Sequence, residues 1–260
     1  MERIFMRSEA AAEYDFRAAS RVNVGIVGLC AGAGSTFVST SIAYLASRDK
    51  RKSVAFVEAA DYLRGAGEPR SRLFDSMGAD KRFAFREYID LFEVTERGGS
   101  IRNSLNVDDR INWAVPVDAA NCDSNVFLRV AGSVAGDIII CDIGSSLEGD
   151  NLRAALSSMD IIVCVADPAP SSLIAGEKRL YEIKKHISES GVKLFTVINK
   201  MSAGVDKRGI RKFLGVPEIL AIEAVPASEI HGCEYACRLP AESKSIRTKL
   251  QAVERIVNEL

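Results

Sequence analysis

One stretch of the chain, residues 22–46 (VNVGIVGLCAGAGSTFVSTSIAYLA), limits the choice of fold more than any other. An apolar run at 22–27 leads into a glycine-rich turn at 28–34, and an apolar pattern with helical spacing begins at Ser35. In a strand–turn–helix unit of this kind, backbone N–H groups and the N-terminus of the helix can hold a phosphate. The stretch therefore predicts an α/β protein with an anion-binding turn after its first strand.

The composition describes an ordinary globular chain. Its 260 residues are 47% hydrophobic and 27% charged, and the net charge is −1. This balance gives no support to a global attraction to nucleic acid or to membranes. The six cysteines do not follow a zinc-ligand spacing, because Cys233 and Cys237 form a single isolated pair. No apolar run is long enough for a transmembrane segment, so we expect a cytoplasmic protein with reduced thiols.

Apolar runs alternate with helical patterns along the rest of the chain. Strands are predicted at 53–58, 111–117, 137–141, 160–166, 192–198 and 219–225, and helices at 35–48, 151–157, 171–190, 206–214 and 243–260. Strands this apolar belong to a sheet that is covered on both faces. We therefore predict an α/β fold with a doubly wound, mostly parallel sheet and helices on both faces.

The domain organisation follows from the same pattern. Residues 22–260 are expected to form one domain, preceded at 1–21 by an N-terminal arm or short helix. Residues 61–112 are the least regular part and are interpreted as an insertion with one helical stretch at 82–92. Its aromatic residues favour a small satellite core beneath a long loop over a partner surface.

Polar and glycine-rich turns follow nearly every predicted strand. They lie at 28–36, 58–61, 142–146, 167–168, 199–200 and 226–228. Ligands of open parallel sheets bind at the carboxyl ends of the strands. The sequence therefore predicts one ligand site, built from these turns at a common edge of the sheet.

With these features the chain resembles the MinD/ParA-type P-loop ATPases, whose deviant Walker A loop reads x-K-G-G-x-G-K-[ST]. Gly32, Gly34 and Thr36 match that loop. Its signature lysine aligns with Cys30 and its P-loop lysine aligns with Ser35. The resemblance covers the chain from residue 22 onward, apart from the insertion, and it implies a P-loop NTPase-like fold.

The resemblance also implies a set of ligand contacts. ATP or ADP with Mg²⁺ is the expected cofactor, with Thr36 and Asp142 near the metal. The strand end at Asn199 and Lys200, together with Pro226, is similar to the segments that contact the base. The phosphate would lie on the loop and the first turn of the helix, at Gly32, Ala33, Gly34, Ser35, Thr36 and Phe37.

The departures from the family pattern weaken the prediction of catalysis. Neither Cys30 nor Ser35 supplies a cation to the phosphates. The second acid of the family's D-x-D segment aligns with Ala60, and Asp61 reaches its place only by a one-residue slip. If the chain is active, Asp142 and Asp61 are the catalytic candidates. We expect a pseudo-ATPase; the alternatives are a slow Mg²⁺-dependent ATPase that uses a lysine from elsewhere and a structural or anion-binding module.

Altered loops also occur in CpaE-like members of this group, which are linked to the positioning of pilus or secretion machinery. A localisation or scaffold role follows from that likeness, through a homodimer or a protein partner. The basic face at 207–212 leaves DNA contact open, although a solvated face is favoured. The apolar stripe at 250–260 lacks the cationic excess of a membrane-binding helix. We expect it to pack onto the sheet.

Overall fold

A computed structural model describes residues 21–59, 71–73, 88–90, 110–116 and 124–260, with only the backbone described at 88–90 and 124–126. Within these ranges the chain forms eight strands and eight α-helices. Among the described residues, no helix combines the length and apolar character that crossing a bilayer requires.

The strands form one sheet in the order β3-β4-β2-β5-β1-β6-β7-β8, and every neighbouring pair is parallel. They are β1 (Val22–Gly28), β2 (Val54–Glu58), β3 (Tyr88–Asp90), β4 (Ile111–Val115), β5 (Ile138–Gly144), β6 (Ile161–Ala166), β7 (Lys193–Met201) and β8 (Leu220–Glu223). The chain order reverses on either side of β1, so β5 and β6 flank the strand that carries the glycine-rich turn. Such a switch point is where open parallel sheets bind their ligands.

The helices connect these strands. They are α1 (Ser35–Ala46), α2 (Ser124–Ser133), α3 (Gly149–Ser157), α4 (Pro170–Ser190), α5 (Lys207–Leu214), α6 (Ala227–Tyr235), α7 (Lys244–Arg247) and α8 (Gln251–Val257), with a 3₁₀ turn at Pro240–Glu242. The sequence patterns did not predict α2 or α6.

Helices cover both faces of the sheet, because successive strand residues point to opposite sides. In β5, Ile138 and Ile140 belong to the core beneath α1 and α8. Ile139 and Cys141 belong to the core beneath α2, α3, α4 and α5. This arrangement confirms the predicted doubly wound α/β fold and its covered parallel sheet.

Two predicted helices differ from the structure. The helical stretch at 82–92 is wrong at Tyr88–Asp90, where the backbone pairs with β4 as an edge strand. Ladder hydrogen bonds to a neighbouring strand override a short helical periodicity. The remaining residues of that stretch, and the predicted arm at 1–20, lie outside the described residues.

The single helix predicted at 243–260 is divided into α7 and α8 by a turn at Thr248–Leu250. The stripe itself behaves as expected: Leu250, Val253 and Ile256 are fully buried. The segment packs against α1 and β8. The structure thus confirms that this stripe covers the sheet.

Candidate functional site

The glycine-rich turn has a fixed backbone path between β1 and α1. The N–H of Leu29 donates to the carbonyl of Val165 at the end of β6, at 2.9 Å. Gly32 and Gly34 have φ values of 75° and 90°, in the left-handed region that favours glycine. Gly34 is the N-cap of α1 and supplies no capping side chain, so the first-turn N–H groups, beginning at Ser35, are left for another acceptor.

Leu29 stands where the G-x-x-x-x-G-K-[ST] pattern of a P-loop has its first glycine. Its side chain is buried and belongs to the core on the α4 side. A Cβ on Gly176 of α4 would come within 2.8 Å of the Leu29 Cβ. The loop therefore packs directly on α4, and a leucine fills that contact.

An open cleft of about 420 Å³ lies over the loop and the start of α1. This volume is in the range of small-molecule sites. Among the described residues that line it, the basic ones are Arg72 and Arg238, and there is no lysine. The described lining is Cys30, Ala31, Gly32, Gly34, Ser35, Thr36, Phe37, Thr40, Arg72, Leu73, Ser145, Ile230, Glu234, Arg238, Leu239 and Pro240.

Two buried acids stand side by side next to this cleft. The parallel register pairs Glu58, the last residue of β2, with Asp142 of β5. Both side chains are fully buried. Burial raises the pKa of Glu58 to about 7, against the opposing effect of Arg72. Neighbouring buried carboxylates are costly unless a cation or several hydrogen bonds compensate them.

The compensating cation is Arg72. Its Nε lies 3.4 Å from Glu58 Oε1, and its Nη2 lies 3.4 Å from Asp142 Oδ2 and 3.0 Å from the carbonyl oxygen of Asp142. Nε also donates to Thr36 Oγ1 at 3.2 Å. The Arg72 side chain is only 10% exposed. One guanidinium thus joins the end of β2, the end of β5 and the first turn of α1.

The backbone around Arg72 is fixed by the same glutamate. Glu58 Oε1 accepts the N–H groups of Arg72 and Leu73, at 2.6 and 3.2 Å, and Oε2 accepts the hydroxyl of Ser71 at 2.5 Å. On the opposite side, a Cβ on Gly144 would lie 2.5 to 2.9 Å from three guanidinium atoms. The glutamate positions Arg72, and the glycine leaves room for it.

The expected metal ligands do lie together, but their arrangement does not fit a metal ion. Thr36 Oγ1 donates to Asp142 Oδ2 at 2.7 Å, and the guanidinium contacts both residues. Mg²⁺ requires oxygen ligands at about 2.0–2.1 Å in a near-octahedral shell. Arg72 Nε lies 3.2 Å from Thr36 Oγ1 and Nη2 lies 3.4 Å from Asp142 Oδ2, so a positive charge already stands where a Mg²⁺ ion bound to both residues would lie. No group of three or more His, Cys, Asp or Glu side chains suited to a metal occurs among the described residues.

The residues expected near the base occupy different positions. Asn199 is buried and its Nδ2 donates to the carbonyl of Ala33 at 3.1 Å. Lys200 Nζ donates to the carbonyl of Gly32 at 2.6 Å and pairs with Asp167 at 2.8 Å. Both side chains brace the loop and are not among the described residues that line the cleft.

Pro226 is the N-cap of α6 and is also not among those lining residues, whereas Ile230 and Glu234 of the same helix are. The base-contact roles of Asn199, Lys200 and Pro226 therefore stay predictions. Asp61, the second catalytic candidate, lies outside the described residues.

The residues predicted to contact phosphate lie together in the structure, although their phosphate-binding role stays a prediction. Gly32, Gly34, Ser35, Thr36 and Phe37 line the cleft. Ala33 is buried beneath the loop.

Sequence reasoning missed Arg72, which lies in the irregular segment 61–112. The one available signal was charge balance: two acids at adjacent buried strand ends require a cation. It also missed Arg179, a buried α4 residue that donates to the carbonyls of Leu147 and Gly144 at 2.6 and 3.3 Å. These bonds hold the segment after β5 in place.

Solved structures that are similar to this chain include MinD and ParA family ATPases. The chain is similar to a ParA family ATPase from Chlorobium tepidum (TM-score 0.67, 16% identity, 92% of this chain and 100% of that one). It is also similar to Pyrococcus horikoshii MinD complexed with Mg-ADP (TM-score 0.66, 18% identity, 92% and 95%). A third similar structure is an Aquifex aeolicus MinC:MinD cell division protein complex (TM-score 0.61, 18% identity, covering 92% of this chain and 97% of that one). The chain therefore has the MinD/ParA-type P-loop NTPase fold.

Comparison by sequence adds nothing to this fold assignment. No family model matches the chain, and no curated protein matches it.

Proposed function

We propose that this chain is a degenerate MinD/ParA-like protein, a pseudo-ATPase that retains a nucleotide cleft and has weak or no hydrolysis. The observation that carries the proposal is the lining of the cleft. Its described part contains no lysine, and Cys30 and Ser35 stand where the resemblance puts the two lysines. A phosphate loop without its cation loses the group that neutralises charge during phosphoryl transfer.

The expected loss of activity is large. Removing one charged partner from a dry phosphate site lowers the rate by about 10²–10³. Two lysines are missing here. Lys200, a candidate replacement from the end of β7, is bonded to Gly32 and Asp167. Nucleotide binding is supported more strongly than hydrolysis, because loop geometry and cleft volume remain.

The experiment is a titration of the purified protein with a fluorescent ATP analogue, followed by a turnover assay at saturating ATP. We expect binding with turnover at background level. The Asp142→Asn variant is the control for the assay: turnover in the native protein that this variant abolishes would establish a genuine ATPase. Absence of binding at millimolar nucleotide would leave the structural or anion-binding alternative.

A localisation or scaffold role requires that the protein bind a partner or a second copy of itself. Support comes from the MinC:MinD complex, a protein assembly built on the same fold. An exposed apolar groove of about 480 Å³ between α4 and α5 is a further supporting feature. Ile174 and Phe213 line it and are 65% and 47% exposed.

The test of this role is light scattering with the native protein and with Ile174→Glu and Phe213→Glu. We expect a dimer that both substitutions convert to monomer. Tyr181→Glu is the matched control, since Tyr181 is exposed on the same helix but is not among the described groove residues. A native monomer, or a dimer unchanged by both groove substitutions, would remove the groove from the dimer proposal.

A further inference from the structure

Two buried acids lie next to each other at the carboxyl ends of β2 and β5. Glu58 and Asp142 are adjacent in register and are both fully buried. In addition, Asp142 Oδ1 is buried and accepts no hydrogen bond within the described part of the chain. The acids and the Thr36 hydroxyl form a group of oxygen atoms that requires a cation.

Arg72 supplies that cation from within the chain. Its guanidinium lies within 3.4 Å of oxygens from all three residues. The side chain is held at both ends: Glu58 binds the backbone N–H of Arg72, and Asp142 accepts from its Nη2 through the carbonyl oxygen. The contact is therefore a built-in part of the fold and not a surface ion pair.

The guanidinium and a divalent ion exclude each other at this place. The guanidinium fills the space beside Gly144, where an added Cβ would lie 2.5 to 2.9 Å from three of its atoms, and its Nη2 lies 3.4 Å from Asp142 Oδ2. A divalent cation bound directly to Thr36 Oγ1 would lie about 2.0–2.5 Å from that atom, close to the positively charged Arg72 Nε, which is itself 3.2 Å from Oγ1. Arg72 would have to leave before such an ion could enter.

We propose that Arg72 is an internal substitute for the divalent cation, so that the cleft takes its phosphate ligand free of metal. The inference rests on the proposed function for the identity of that ligand, a nucleotide phosphate. Arg72 also lines the cleft, and the planar guanidinium is well suited to phosphate oxygens. The binding of a nucleotide here is independent of Mg²⁺, and removal of Arg72 creates a divalent-cation site.

The first test measures Mn²⁺ binding to the full chain, without nucleotide. Binding is detected as a loss of the electron paramagnetic resonance signal of free Mn²⁺. We expect the native protein to leave the free Mn²⁺ signal unchanged at 1 mM. Arg72→Ala is expected to bind about one ion per chain through Thr36, Glu58 and Asp142, since oxygen ligands suit this ion. Adding Asp142→Asn to Arg72→Ala should abolish that binding.

Two results of the metal test would overturn the proposal. One is Mn²⁺ binding by the native protein that Asp142→Asn removes. The other is a folded Arg72→Ala variant that binds no Mn²⁺. Circular dichroism shows whether the variant is folded; if it folds only when Mg²⁺ is added, the ion is replacing the guanidinium and the proposal is supported. If the variant folds under neither condition, the native protein decides the outcome: Mn²⁺ binding that Asp142→Asn removes overturns the proposal, and no Mn²⁺ binding supports it.

The second test separates this proposal from the proposed function. A fluorescent ADP analogue is titrated into the native protein in EDTA and in 5 mM Mg²⁺. We expect dissociation constants that agree within about twofold, whereas a metal-dependent site would lose binding in EDTA by tenfold or more. Tenfold weakening in EDTA would overturn metal independence. If no analogue binds under either condition, the nucleotide part of the proposed function fails, and the Mn²⁺ experiment still tests the role of Arg72.

Discussion

Replacing Gly144 by alanine gives a direct measurement of the Arg72 contact. The added Cβ would lie 2.5 Å from Nη1, 2.7 Å from Cζ and 2.9 Å from Nη2 of Arg72. The guanidinium ends a flexible side chain, so we expect it to move away without large strain. Its departure leaves Glu58 and Asp142 buried without their cation. Breaking a buried ion pair in this way costs about 3–5 kcal/mol of folding free energy.

The backbone adds a second, separable cost. Gly144 has a φ of 66°, which alanine adopts at a cost of about 1–2 kcal/mol. Gly191, the C-cap of α4, has a φ of 71°, and a Cβ there would meet no atom within 4 Å. Gly191→Ala therefore reports the backbone cost alone. We expect about 1–2 kcal/mol for Gly191→Ala and about 4–7 kcal/mol for Gly144→Ala, from the sum of the two effects.

The assay is urea-induced unfolding followed by circular dichroism, with the free energies compared in a double-mutant cycle. In an Arg72→Ala background the added Cβ meets no guanidinium, so Gly144→Ala should cost only its backbone share. We expect a coupling energy between the two positions of about 3–5 kcal/mol in magnitude, which is the ion-pair share of the Gly144→Ala cost. Equal destabilisation by Gly144→Ala and Gly191→Ala, or additivity within about 0.5 kcal/mol in the cycle, would refute the reasoning.

Three smaller predictions follow from neighbouring contacts. The pKa of Glu58 is raised from 4.5 to about 7, so the protonated side chain stabilises the fold below pH 4.5. This stabilisation, up to about 3 kcal/mol, is lost as the pH rises to 7. Glu58→Gln should flatten this part of a stability–pH profile. Asn199→Asp places a carboxylate against the carbonyl of Ala33 and should destabilise by about 2–4 kcal/mol in urea unfolding, and an unchanged midpoint would contradict the buried bond. Lys200→Ala removes a half-exposed bond to Gly32 and should change stability by less than about 1 kcal/mol, and a larger loss would mean that this lysine is needed to hold the loop.

The sheet and the phosphate loop were predictable from the sequence because each is encoded locally. Runs of five to seven mostly apolar residues predict the buried strands, and glycines at 32 and 34 provide the left-handed backbone that the turn requires. The position of Asp142 follows from its place at the end of β5. The prediction that the strand ends meet at one site needed no further information, because the carboxyl ends of parallel strands lie at the same edge of the sheet.

Arg72 was not predictable in the same way. It lies in an irregular segment that contains several arginines, and no local periodicity tells which of them reaches the sheet. The structure selects it through a long-range contact, in which Glu58 binds the backbone of residues 72 and 73. The role of Asn199 was uncertain for a related reason, because a strand-end asparagine can face a ligand or brace the loop beside it. The role of bracing the loop becomes evident only from the structure, in which Asn199 at the end of β7 donates to the carbonyl of Ala33.

The remaining positive charges also bear on the slow-ATPase alternative. Arg72 lines the cleft, but the two carboxylates beside it offset its charge, so it does not replace the positive charge of the two missing lysines. To serve as the missing lysine, Lys200 would have to break its bonds to Gly32 and Asp167 and move into the cleft. A hydrolytic cycle by this chain therefore requires either a rearrangement of the loop or a cation from a second molecule. If a second molecule supplies that cation, turnover per chain rises with protein concentration; if Lys200 does, it is independent of concentration and lost in Lys200→Ala.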